Sequence, residues 1–223
     1  MKPIKLVMIG NSYTFYHKMP ETILVPLLAE AGWEVELCCL TKGSQYLINS
    51  ANETDVLGEK VHAALTGAHF DYAIIQDQST VGILDPQKHE DGVRAILKKL
   101  APTGARVLLY GTWGRKEGSP FLEKHGYEAA ETTAILLAEQ KKVAAAEKLD
   151  VAHVGLPFRA ITEKGEIELY MPDCSHPSYE GSYLAAVCLA ARLTGKAPEE
   201  FSFCGQLDPA VAKTLRSAAA LAL

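Results

Sequence analysis

Ser12 lies in the stretch Ile9-Gly10-Asn11-Ser12-Tyr13-Thr14, directly after the apolar run Ile4 to Ile9. A serine on a turn from a first strand into a helix exposes its hydroxyl beside backbone N–H groups that are free to bind an anion. Far downstream, Asp173-Cys174-Ser175-His176-Pro177 offers an acid and a base three residues apart. Together these types supply a nucleophile, a general base and an acid that orients the base. A tight turn would let the carboxylate meet one ring nitrogen of His176 while the other faces Ser12. Each residue also has a plainer reading. A serine before a helix serves as an N-cap, and Asp-x-x-His occurs in ordinary turns.

The elements that must position these residues alternate. Apolar runs over Lys5 to Ile9, Glu34 to Leu40, Tyr72 to Ile75, Val107 to Tyr110 and Val151 to Val154 read as strands. Helical spacing covers Pro20 to Ala31, Thr54 to Leu65, Glu90 to Leu100, Tyr127 to Leu149 and Tyr179 to Leu193, and Asp208-Pro209 caps a last helix. This alternation predicts an α/β fold, a doubly wound and mainly parallel five-stranded sheet with helices on both faces, in one domain over residues 1–223. Ligands of such sheets gather at the carboxyl ends of the strands. Ser12, Gly43, Gln76, Thr112-Trp113 and the Asp173/His176 pair all follow strands at that edge.

Several classes are excluded by composition. Lys plus Arg is 22 against 27 for Asp plus Glu, with no basic tract, so no nucleic-acid partner is expected. The apolar run after Met1-Lys2-Pro3 is about six residues, too short and too early for a signal peptide or a membrane span. A leader removed from the chain would leave the same sequence. Five cysteines without regular spacing (Cys38, Cys39, Cys174, Cys188, Cys204) point to free thiols and a reducing, cytoplasmic compartment. The histidines outside the Asp173 block have no metal-ligand spacing, so neither a metal nor another cofactor is expected. Oligomeric state is not legible.

The same residues resemble the SGNH (GDSL-like) hydrolase superfamily over nearly the whole chain. Gly10-Asn11-Ser12-Tyr13-Thr14 is similar to its first block, with Asn11 where Asp is usual. Lys42-Gly43-Ser44 is similar to the second, and Asp173-x-x-His176 with Pro177 and Gly181 to the last. In place of the usual Gly-x-Asn-Asp stands Ile75-Gln76-Asp77-Gln78-Ser79, which resembles branches with glutamine in the third block. The resemblance implies a three-layer α/β/α sandwich of flavodoxin-like order and ester hydrolysis, often deacetylation of carbohydrates. It implies Ser12 as nucleophile, His176 as base and Asp173 as its partner. The N–H groups of Ser12 and Gly43 and the Gln76 amide would form the oxyanion hole, with Gln78 the alternative donor.

Tyr13 and Trp113 are candidate pocket residues, although an aromatic after a strand equally suits the core. The edge loops carry Lys42, Gln45, Asp77, Gln78, Arg115, Lys116 and Glu117, and no long apolar insertion that would roof a fatty-acyl tunnel. The expected substrate is therefore a short-chain ester, acetyl above all, of a polar alcohol such as a sugar. Two other classes fit parts of the pattern. One is a carbohydrate-binding module without activity. The other is a flavin- or phosphate-binding flavodoxin-like protein, which leaves Asp173 and His176 without a task.

Overall fold

A computed structural model describes residues 2–223. Five strands, β1 (Ile4–Gly10), β2 (Val35–Thr41), β3 (Tyr72–Ile75), β4 (Arg106–Gly111) and β5 (Asp150–His153), form one sheet in the order β2-β1-β3-β4-β5. Every pairing is parallel. The helices in chain order are α1 (Ser12–Phe15), α2 (Val25–Glu30), α3 (Leu47–Ser50), α4 (Val56–Leu65), α5 (Val81–Leu84) and α6 (Pro86–Leu100). They continue with α7 (Pro120–His125), α8 (Ala129–Glu147), α9 (Gly155–Lys164), α10 (Tyr179–Thr194) and α11 (Pro209–Ala219). This is the doubly wound parallel sheet expected from the alternation, in the flavodoxin-like three-layer sandwich that the resemblance implies.

Side chains alternate between the faces of a strand, so both faces of the central strands are apolar. Leu6 and Met8 of β1, Ile74 of β3 and Leu108 and Tyr110 of β4 pack into one core with α2, α9, α10 and α11. Val7, Ile9, Ala73, Ile75 and Leu109 pack into the other with α4, α6 and α8. Helix α10 is buried from Gly181 through Ala191, mostly on small side chains that let it lie close to its neighbours. Inner strands buried in this way read as continuous apolar runs, which is why β1, β3 and β4 are visible in the sequence.

Helix α9 is absent from the sequence reading. Its opening Gly155-Leu156-Pro157 carries turn residues, and it is held by burial of Pro157, Phe158 and Ile161. Helix α6 begins at Pro86, not Glu90. Proline suits a first helical position, and the Asp85 carboxylate accepts from Lys88 N at 3.1 Å.

β1 pairs with β2 on one side and β3 on the other, and the connections diverge there. That switch point opens a crevice at the carboxyl end of β1. Ser12 stands at its mouth.

Candidate active site

Gly10 ends β1 where no side chain would fit. A Cβ there would stand 2.5 Å from Thr14 Oγ1 and 2.8 Å from Gln76 Oε1. Asn11 then turns the chain. Its carboxamide accepts from Tyr13 N at 3.2 Å and donates through Nδ2 to Gln45 O at 3.0 Å. A carboxylate could accept but not donate, which gives a physical reason for Asn at this position. Ser12 thus opens α1, and its N–H has no hydrogen-bond partner among the described residues.

The acid–base segment is clamped onto the same edge. Tyr170 and Pro177 form a β-bridge, with Met171 N donating to His176 O at 2.8 Å and Ser178 N to Leu169 O at 2.9 Å. Within this clamp Asp173 Oδ1 accepts from Ser175 N at 3.0 Å and His176 N at 2.9 Å, forming the tight turn. The turn forces Cys174 into the left-handed region at φ 57°. Gly181 lets the start of α10 lie against the Leu169 carbonyl, where a Cβ would clash.

Ser12, His176 and Asp173 are brought together. His176 Nδ1 is 2.5 Å from Asp173 Oδ2, and His176 Nε2 is 2.9 Å from Ser12 Oγ. An ionised Asp173 only accepts, so Nδ1 carries the proton and Nε2 accepts from the serine hydroxyl. Burial pushes the Asp173 carboxyl up. The hydrogen bonds from the His176 ring and from the His176 and Ser175 N–H groups outweigh it, leaving the carboxyl below its usual range.

Two aromatic rings fix the imidazole. Tyr16 stacks on it at 4.5 Å and 13°, and Tyr13 meets it edge-on at 5.6 Å. Tyr16 is followed by His17 and Lys18, both left-handed at φ 54° and 52°, and His17 Nε2 bonds Pro177 O at 3.1 Å. Neither Tyr16 nor His17 is legible as a site residue in the sequence, since their role depends on a turn that no glycine announces.

Three expectations are corrected. Trp113 is fully buried, stacked between Tyr13 at 4.6 Å and Phe158 at 3.9 Å, and its Nε1 donates to Ser175 O at 3.1 Å. It supports the floor of the site and does not line the pocket. Gln76 also faces inward. Its Oε1 accepts from Asn11 N and Thr14 Oγ1, each at 2.9 Å, and its Nε2 donates to Asp77 O. Its oxygen serves the nucleophile turn and its nitrogen the Asp77 carbonyl, and the side chain is 1% exposed and does not line the cleft. Gly43 is exposed and does not line the cleft, where its neighbour Ser44 does, at φ 57°. The N–H groups of both residues are unpaired among the described residues.

Gln78 does line the cleft. Its Oε1 accepts from Thr80 N at 2.7 Å and Thr80 Oγ1 at 2.8 Å, which turns Nε2 outward as a donor without a partner among the described residues. Asp77 holds this block from behind. Its Oδ1 accepts from Leu47 N and Gln78 N, each at 2.8 Å, and its Oδ2 meets His89 Nδ1 at 2.9 Å.

The cleft has a volume of about 200 Å³. Ser12, Ser44, Gln78, Ser79, Ser175 and Arg115 are on its wall with Asn11, Tyr13 and His176, and no aliphatic side chain is among them. Among the described residues no cluster of three or more His, Cys, Asp or Glu is placed to hold a metal ion. Among the described residues no helix is long and apolar enough to cross a membrane. All five cysteines are free thiols.

No protein-family model and no curated protein matches the sequence. Solved structures do. A candidate SGNH hydrolase from Slackia heliotrinireducens is 29% identical with a TM-score of 0.77, covering 86% of this chain and 100% of its own. The chain resembles SGNH-type hydrolases in its sequence blocks and in its fold. A DUF4886 family protein from Bacteroides uniformis shares the fold of this chain at TM-score 0.82 and 16% identity, over 98% of this chain and 94% of its own. An acetyl xylan esterase shares it at TM-score 0.57 and 17% identity, over 83% and 98%.

Proposed function

We propose that this protein is a serine esterase of the SGNH type that removes short acyl groups, acetyl above all, from a polar alcohol such as a carbohydrate. Ester hydrolysis as a class agrees with the lipase, esterase and acetyl xylan esterase among its structural neighbours. The observation that carries the mechanism is the chain of contacts Ser12 Oγ to His176 Nε2 at 2.9 Å and Nδ1 to Asp173 Oδ2 at 2.5 Å, opening onto a cleft.

His176 Nε2 takes the Ser12 proton as Oγ attacks the ester carbonyl. Asp173 stays ionised and stabilises the imidazolium. The oxyanion is met by the unpaired N–H groups of Ser12 and Ser44 and by Gln78 Nε2. Each such donor lowers the barrier by about 3 kcal/mol. His176 then protonates the leaving alcohol. Water, activated by the same base, releases the acid and restores Ser12.

The acyl preference rests on the wall of the cleft. A fatty chain gains about 0.8 kcal/mol per methylene only where apolar surface receives it, and this wall offers polar groups. The test is a series of 4-nitrophenyl esters from acetate to octanoate at matched solubility. kcat/KM should flatten or fall beyond butyrate. A steady rise through octanoate would overturn the short-acyl reading and leave the Ser12 mechanism standing.

A further inference from the structure

Arg115 enters the cleft from the loop after β4, and everything that holds it is neutral. Its Nη1 donates to Tyr13 Oη and its Nη2 to Ser79 Oγ at 2.9 Å. Its backbone N donates to Thr132 Oγ1 at 3.1 Å. The guanidinium also lies 5.8 Å from the Tyr13 ring centre and 5.5 Å from that of Phe121. Among the described residues, no carboxylate pairs with it.

The acids around it are engaged elsewhere. Asp173 is bonded to His176, and Asp77 to Leu47 N, Gln78 N and His89. Glu117 accepts from Ala129 N at 3.4 Å, Glu163 pairs with Arg159 at 2.6 Å, and Glu168 pairs with Lys116. A half-buried guanidinium held in place by neutral hydroxyls is an oriented positive charge without a counter-charge. Part of its donor fork remains unengaged and faces the space that Ser12 opens onto.

Arg115 also borders a second basin of about 380 Å³, lined in part by Thr133, Arg159, Thr162 and Tyr170. It therefore stands between the small cleft at Ser12 and a larger space beyond. An acyl group in the first would leave the alcohol portion of a substrate room to extend past Arg115 toward the second.

We propose that Arg115 is a substrate-binding residue that selects esters whose alcohol portion carries a carboxylate, as an acetylated sugar acid does. The planar guanidinium meets a carboxylate through charge-assisted hydrogen bonds, which a neutral sugar cannot reproduce. This rests on the esterase reading for its substrate, but the anion subsite can be tested without turnover.

The test compares an O-acetylated methyl galacturonoside with its carboxyl methyl ester, which differ only in the charge. Wild type should favour the acid by about 10- to 100-fold in kcat/KM, the range expected of one charged hydrogen-bonded contact. Arg115→Gln should bring the ratio of the two substrates toward one, and Arg115→Lys should keep part of it. Circular dichroism of each variant establishes that it is folded. In parallel, the Ser12→Ala protein is titrated with both compounds by calorimetry, where the acid should bind about ten-fold tighter or more at low salt. Equal binding of acid and methyl ester, or a preference that survives Arg115→Gln, would overturn the proposal. Tighter binding of the acid with no turnover by wild type would uphold the subsite and overturn the esterase reading alone.

Discussion

Replacing Gln76 and Gln78 by alanine, one at a time, should separate a structural carboxamide from a catalytic one. Gln76 is 1% exposed and its side chain partners three groups, Asn11 N, Thr14 Oγ1 and Asp77 O. The threonine hydroxyl can rotate toward another acceptor, whereas Asn11 N–H and Asp77 C=O are fixed by the backbone. Leaving two buried backbone groups unpaired at about 1–3 kcal/mol each predicts a loss of roughly 2–6 kcal/mol from Gln76→Ala. That is a large part of the roughly 5–15 kcal/mol that holds a typical domain together. Gln78 bonds only Thr80 beside it through Oε1, and the one backbone N–H this leaves unpaired is part-buried, so Gln78→Ala should cost about 1 kcal/mol. It should instead lower kcat for 4-nitrophenyl acetate by about 10²- to 10³-fold, with little change in KM. Urea denaturation and steady-state kinetics on the same preparations read both quantities. A Gln76→Ala protein of wild-type stability with kcat reduced a hundred-fold, beside an unaffected Gln78→Ala, would refute the assignment.

Ser12→Ala and His176→Ala should each abolish ester hydrolysis in a folded protein, and the double variant should lose little more, because the residues act as a unit; wild-type turnover by Ser12→Ala would end the nucleophile assignment. Asn11→Asp should destabilise the protein by about 1–3 kcal/mol in urea titrations, since the Gln45 carbonyl loses its buried donor. The carboxyl of Asp173 lies below its ordinary value of about 3.9. Its contribution to stability is therefore complete above that value and lost as pH falls through the lower folded value. The difference in urea midpoint between wild type and Asp173→Asn should accordingly persist down to about pH 4 and shrink below it. A difference that vanishes already near pH 6 would contradict the depressed carboxyl.

The sheet is legible because the inner strands β1, β3 and β4 are buried on both faces while the edge strands β2 and β5 still carry apolar side chains, and the Asp173-to-His176 turn because a three-residue spacing suffices to build it. What remained hidden depends on contacts across the chain. Gln76 and Gln78 are the same residue type two positions apart, and only the Asn11 N–H that Gln76 receives assigns one inward and leaves the other at the cleft. Trp113 shares the carboxyl edge with the site residues, yet its stacking on Phe158 of α9 puts it in the core, and α9 itself opens with turn residues. Arg115 was visible as a polar loop residue, but its lack of a counter-charge is a property of every acid around it. Tyr16 ends the nucleophile helix, and its stacking on His176 is a contact with a residue far along the chain that no local pattern announces.

Ser12 and His176 are 164 residues apart in the chain and 2.9 Å apart in the fold. During synthesis the nucleophile leaves the ribosome long before its base. At about 5–20 residues per second the interval is on the order of ten to thirty seconds. Throughout it the serine is an ordinary alcohol, because an unactivated hydroxyl is a weak nucleophile. Reactivity toward esters arises only once the segment clamped between Tyr170 and Pro177 has docked. A nascent or prematurely terminated chain is therefore chemically silent, and covalent labelling of Ser12 by a phosphonate reports the finished fold, not the presence of the first strand.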